Sequence, residues 1–100
     1  MANRTLIDPL GRNITLRDTT WYGHILKRHP ILGGTRALVE VAVEGPLEIH
    51  FSSSDSACRI YYGTGQRPGK LIAVVADVVE GFVKTAYQAD KMKGALEWSP

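Results

Sequence analysis

Residues 70–87 read Lys-Leu-Ile-Ala-Val-Val-Ala-Asp-Val-Val-Glu-Gly-Phe-Val-Lys-Thr-Ala-Tyr, two runs of strand-forming residues on either side of Glu80-Gly81. The stretch from Leu71 to Val79 is the longest mainly apolar run in the chain, and its length suits a strand. An acidic residue and a glycine between two such runs predict a hairpin, with Lys70 to Val79 antiparallel to Gly81 to Tyr87. Upstream, Gly63 to Gly69 is a loop containing glycine and proline. Before it, Leu47 to Ser52 and Ala57 to Tyr62 form two further strands joined by the polar turn Ser53-Ser54-Asp55. Downstream, Lys91-Met92-Lys93-Gly94 leads into a last short strand at Leu96-Glu97-Trp98.

The first half of the chain is helical in character. Asp18 is placed to cap a helix running from Thr19 to Arg28 or His29, and Pro30 stops it by driving its predecessor out of the α region. Thr35 is a second cap and Gly45-Pro46 a second stop. Between them Val39, Val41 and Val43 alternate as a strand would, whereas Leu38, Val41, Ala42 and Gly45 make a helical stripe; cap and stop favour the helix. At the N-terminus, Thr5 to Asp8 and Asn13 to Leu16 flank the turn-rich Pro9-Leu10-Gly11-Arg12, as a hairpin or as two extended segments. Helices followed by an antiparallel sheet predict a two-layer α+β architecture. All of residues 1–100 then form one domain, with 1–17 as an N-terminal extension or hairpin.

With 100 residues there is room for one core. An apolar content of 44% and a charged content of 22% exclude a disordered chain. Cys58 is the only cysteine, so neither an intramolecular disulfide nor a thiolate metal site is available, and it reads as a small core residue. The opening Met1-Ala2-Asn3-Arg4-Thr5 lacks the apolar run of a signal peptide, and no stretch reaches a membrane span, so a cytoplasmic protein is expected. Net charge is only +2, but it is unevenly spread. Residues 1–39 carry six basic and two acidic side chains, while Glu40, Glu44, Glu48 and Asp55 follow without a basic partner. One basic end beside an acidic segment can attract a polyanion on one side, or can simply be solvated.

Two short segments concentrate the chemistry. Trp21-Tyr22-Gly23-His24-Ile25-Leu26-Lys27-Arg28-His29-Pro30 puts two histidines and an arginine on one amphipathic helix. At 100° per residue Trp21, Ile25 and Arg28 share the face turned to the sheet, His24 flanks Arg28, and His29 emerges at the helix end. A histidine pair can supply base and acid together, and a guanidinium suits a dianionic phosphorane. Histidines near a helix C-terminus also serve the dipole, and Arg28 could pair with an acid. His24 and His29 are five apart, which does not suit a metal pair on adjacent turns, so no metal or other cofactor is implied. In the second segment, Val83-Lys84-Thr85-Ala86-Tyr87, alternation puts Thr85 and Tyr87 on one face and Lys84 on the other. Thr85 and Tyr87 can donate to a phosphate, although both are also ordinary strand formers. Arg59, Tyr61 and Tyr62 add a guanidinium and ring surfaces on which a base can stack, or cross-strand packing.

The combination of His24-x-x-x-Arg28-His29-Pro30 on a first helix with Thr85-Ala86-Tyr87 ending a late strand resembles the barnase–EndoU–colicin–RelE-like (BECR) nuclease superfamily, in its phage- and toxin-associated branches. The resemblance runs from about Trp21 to Trp98 and includes the closing Lys93-Gly94-Ala95-Leu96-Glu97-Trp98. It implies two helices on a four-stranded antiparallel sheet and cleavage of RNA without a metal, leaving a 2′,3′-cyclic phosphate. It also implies a possible immunity protein or antitoxin as partner. Carried over, one of His24 and His29 would deprotonate the ribose 2′-hydroxyl, with His29 favoured. Arg28 would stabilise the pentavalent phosphate, and Thr85 and Tyr87 would hold the phosphate or protonate the leaving oxygen. Lys84, Arg59 and Tyr61 would bind substrate, but Lys84 can share a cleft with Thr85 only if a bulge interrupts the strand. The modest net charge departs from the strongly basic ribosome-dependent relatives. The alternative is a catalytically inactive RNA- or protein-binding domain of the same fold.

Overall fold

In the computed structural model, which describes residues 3–100, the strands assemble into one seven-stranded mixed sheet. They are β1 (Arg4–Ile7), β2 (Asn13–Leu16), β3 (Glu48–Phe51), β4 (Cys58–Thr64), β5 (Leu71–Asp77), β6 (Phe82–Ala89) and β7 (Leu96–Trp98). Their order in space is β1-β2-β6-β5-β4-β3-β7. The expected four-stranded antiparallel sheet is thereby corrected. Strands β3 to β6 do pair antiparallel, but the N-terminal hairpin docks through a parallel bridge, Thr15 opposite Phe82, and β7 extends the sheet beyond β3. The reason is burial. Leu6, Ile14 and Leu16 are fully buried, and a two-stranded ribbon cannot shelter such side chains without a larger sheet to join.

The predicted turn between β5 and β6 forms as its residues dictate. Asp77 accepts hydrogen bonds through Oδ1 from the amides of Val79 and Glu80, at 2.9 and 2.8 Å. Gly81 then takes a left-handed φ of 86°, which a side chain would oppose, and its carbonyl accepts from the Thr15 amide of β2 at 2.8 Å.

Helix α1 is continuous through Asp18–Thr20, Trp21–Ile25 and Leu26–Arg28, and its middle part is wound as π-helix. Asp18 is not the cap but the first helical residue; Arg17 precedes it in extended conformation. The Asp18 carboxylate instead accepts from Arg36 Nη1 at 2.7 Å, tying α1 to α2 (Arg36–Glu44). His29 leaves the helical region at φ −132°, ψ 68°, directly before Pro30. A single 3-10 turn, Pro30–Leu32, bridges to α2.

The core joins Trp21 and Ile25 of α1 and Val39, Ala42 and Val43 of α2 to Ile49, Tyr61, Ile72, Val74, Val83 and Ala86 of the sheet. Helix α2 lies on the face of β4 that carries Tyr61 and Gly63. A Cβ on Gly63 would stand 2.6 Å from that of Ala42, so glycine is what permits this approach. On the same side a buried polar clasp draws the two ends of the sheet together. Asp8 accepts from the Leu10 and Arg12 amides, from Arg12 Nε at 2.7 Å and from the Tyr61 hydroxyl at 2.6 Å. Arg12 also donates to Glu97 of β7 at 2.7 Å, and Glu97 receives Arg59 Nε at 2.7 Å. Among the described residues no buried side-chain nitrogen or oxygen lacks a hydrogen-bond partner, and no helix is long and apolar enough to cross a membrane.

Candidate active site

The π-wound turn of α1 sets the geometry on the helix side. Such turns insert one extra residue, and here Gly23 sits in the middle with open space where a Cβ would be. Trp21 and Ile25 stay buried against the sheet, while Tyr22, Gly23 and Arg28 are exposed and His24 is half-buried. Arg28 therefore does not share the inward face on which a regular 100° wheel puts it. The wider turn carries the wheel past it.

Strand β6 supplies the other wall. Its pairing with β5 shifts by one residue: Val75 faces Thr85, whereas Ala76 faces Val83, so Lys84 is the extra residue of a bulge. The interruption that a shared cleft requires is present at that position. Lys84 and Thr85 both line one groove of about 450 Å³, together with His24 of α1 and with Ser52, Ser54, Asp55 and Cys58 of the β3–β4 connection and β4. A shallower continuation runs along Thr19, Thr20 and Gly23 opposite Phe82 and Val83. Farther along β6, the His29 ring lies 6.2 Å from that of Tyr87, tilted by 43°. Helix α1 thus follows β6, with His24 near Lys84 and His29 near Tyr87.

The electrostatics of the groove follow from these neighbours. The Ala57 amide, hydrogen bonding with Cys58 and the Lys84 charge hold the Asp55 carboxyl below its usual range. Its Oδ2 is 3.8 Å from Lys84 Nζ. Burial first, and then the Asp55 charge, push the Cys58 thiol up, so it is a protonated wall residue and no thiolate nucleophile. Burial and the neighbouring Tyr62 raise Tyr87, which keeps its phenol proton to donate. Because Asp55 partly neutralises Lys84, Asp55→Asn is expected to strengthen binding of a fluorescent oligoribonucleotide several-fold at low salt. Fluorescence anisotropy reads this, and unchanged affinity would mean that Lys84 does not meet the ligand.

The remaining sequence candidates lie elsewhere. Arg59 and Tyr61 are on the face of β4 covered by α2, whereas Val75 and Thr85 belong to the opposite face. Arg59 is committed to Glu97 and to the Ser56 carbonyl and stacks over Phe51 at 4.4 Å; Tyr61 is fully buried against Asp8. Neither is available to a ligand in the groove. Conversely, Ser52 reads from sequence only as a strand end and Ser54 and Asp55 only as part of a turn, since serine and aspartate favour turns wherever they occur. Among the described residues no group of three or more His, Cys, Asp or Glu side chains is gathered to hold a metal ion. No protein-family model matches this chain, and neither does any curated protein or solved structure.

Proposed function

We propose that this protein is a metal-independent endoribonuclease of toxin type, acting in the cytoplasm and cleaving RNA by attack of a ribose 2′-hydroxyl on the adjacent phosphate. The observation that carries the reading is the groove shared by His24, Lys84 and Thr85, with the His29–Tyr87 pair next along the same strand. An imidazole accepts the 2′-hydroxyl proton, the 2′-oxygen bonds to phosphorus, and the bond to the 5′-oxygen breaks, leaving a 2′,3′-cyclic phosphate. We assign the base to His24, because it and not His29 lies beside the cation and hydroxyl that can hold the phosphate. The Lys84 ammonium and the Thr85 hydroxyl offset charge on the phosphorane oxygens. His29, with Tyr87 beside it, returns a proton to the leaving 5′-oxygen. Arg28, exposed on α1, meets the RNA backbone outside the groove. A toxin of this kind would have a cognate immunity protein or antitoxin as partner.

The reading is tested with paired oligonucleotides of one sequence, one RNA and one DNA, incubated with the protein in EDTA. RNA cut to cyclic-phosphate ends, with DNA untouched, is the expected result. Cleavage of both, or of neither across several sequences, would refute it.

A further inference from the structure

We infer that the shallow half of the groove is a second phosphate subsite, which takes the phosphate one step 5′ of the scissile one; this rests on the ribonuclease reading and gives its substrate a direction. The two halves share His24 and Lys84 and no other residue, so the scissile phosphate sits at their junction. In the shallow half Thr19, Thr20 and Gly23 of α1 stand opposite Phe82 and Val83 of β6. Direction follows from the order of groups along β6: Phe82, then Lys84 and Thr85 beside His24, then Tyr87 beside His29. The attacking 2′-hydroxyl belongs to the nucleotide on the 5′ side of the scissile phosphate, and the leaving 5′-oxygen to the nucleotide on its 3′ side. His29 protonates the leaving oxygen, so the 3′ nucleotide lies toward Tyr87. The 5′ nucleotide, with its own 5′-phosphate, lies toward Phe82 and Thr19.

The chemistry of this half suits a phosphodiester. Two threonine hydroxyls and the Lys84 ammonium can donate to it, and no acidic side chain lines it, whereas Asp55 lines the deeper half. The Arg17 guanidinium lies over the Phe82 ring, 4.1 Å from its centroid, and adds an exposed cation at the far end. Asp18, beside it in the chain, is tied to Arg36 at 2.7 Å. Thr20 and His24 are one turn apart on α1, about 5–6 Å, the step between successive phosphates of an extended strand. Gly23 is the sign that the space is kept for a ligand. A glycine inside a helix weakens it relative to alanine. Gly23 is not one of the glycines with a left-handed φ, and outside its own helix no atom lies within 4 Å of where its Cβ would be. Neither backbone nor neighbour requires glycine there, but a side chain would stand in the shallow half.

Initial cleavage rates of UpU, pUpU and UpUp by the full chain are measured in EDTA. Binding of their 2′-deoxy counterparts, which lack the attacking hydroxyl, is followed by ¹H–¹⁵N NMR. A 5′-phosphate is expected to raise both kcat/KM and the affinity of the deoxy-dinucleotide about tenfold or more, shifting the Thr19, Thr20 and Gly23 amides. Gly23→Leu, which fills the shallow half, and Arg17→Ala are each expected to cut that gain to about threefold or less, with the melting temperature kept. Any gain from a 3′-phosphate is expected to survive both variants. No gain from the 5′-phosphate, a gain indifferent to both variants, or variants that remove the 3′ gain instead would overturn the subsite. The two readings fail separately. A protein that cuts RNA without favouring pUpU loses the subsite alone, and one that binds the 5′-phosphorylated deoxy-dinucleotide at Thr19 to Gly23 but cuts no RNA loses the ribonuclease alone.

Discussion

Asp8→Ala is expected to destabilise the fold by about 3–5 kcal/mol, the cost of removing one partner of a buried ion pair and stranding the other. The Asp8 side chain is fully buried and accepts four hydrogen bonds, so the change orphans the Tyr61 hydroxyl, Arg12 Nε and two turn amides at once. In a domain of this size the melting temperature should fall by roughly 12–40 °C. Thermal denaturation followed by circular dichroism checks it, and a fall of a few degrees would show that the clasp does little to hold the sheet ends.

The same clasp gives stability a defined pH dependence. Burial alone would raise Asp8 and Glu97, but hydrogen bonds from Tyr61 and Arg12 on the first, and from Arg12 and Arg59 on the second, hold both below the ordinary carboxylate range. A carboxyl lowered in the folded state contributes stability above its unfolded value, about 4, and loses it as pH falls through the folded value. Tyr61 behaves oppositely. Burial and Asp8 raise its phenol, so its contribution is complete below the unfolded tyrosine value of about 10 and is lost at higher pH. Urea midpoints across pH should therefore form a plateau with an acid fall, and Asp8→Ala should flatten that fall.

His24→Ala is expected to slow RNA cleavage by about 10²–10⁴-fold, the usual contribution of a positioned general base. His24 is half-buried at the groove wall and packs little of the core, so stability should change by no more than about 0.5 kcal/mol. Cleavage loss with an intact fold separates chemistry from packing. An equal loss of both would mean that the imidazole is structural.

The parts of this architecture legible in the sequence are those encoded locally. The β5–β6 hairpin is written in the apolar runs around Glu80-Gly81, and the end of α1 in Pro30. The parallel docking of β2 on β6 rests on one bridge, Thr15 to Phe82, for which neither segment carries a local signal. The π-wound turn was equally hidden, since Trp21 to Ile25 make as good an α-helix, and it is what moves Arg28 off the inward face. Arg59 and Tyr61 resembled substrate contacts because their partners are remote. Glu97 lies 38 positions from Arg59, and Asp8 lies 53 from Tyr61. The need for a bulge at Lys84 was legible from alternation, but whether the chain supplies one depends on the register with β5.

Whether His24, Lys84 and Thr85 act on one phosphate is decided by side-by-side cleavage by wild type and His24→Ala in EDTA, with product ends identified by mass spectrometry. The wild type is expected to give 2′,3′-cyclic phosphate ends, and the variant a rate at least about 10²-fold lower. Equal rates, or ends carrying only linear phosphate from the earliest time point, would contradict that shared action.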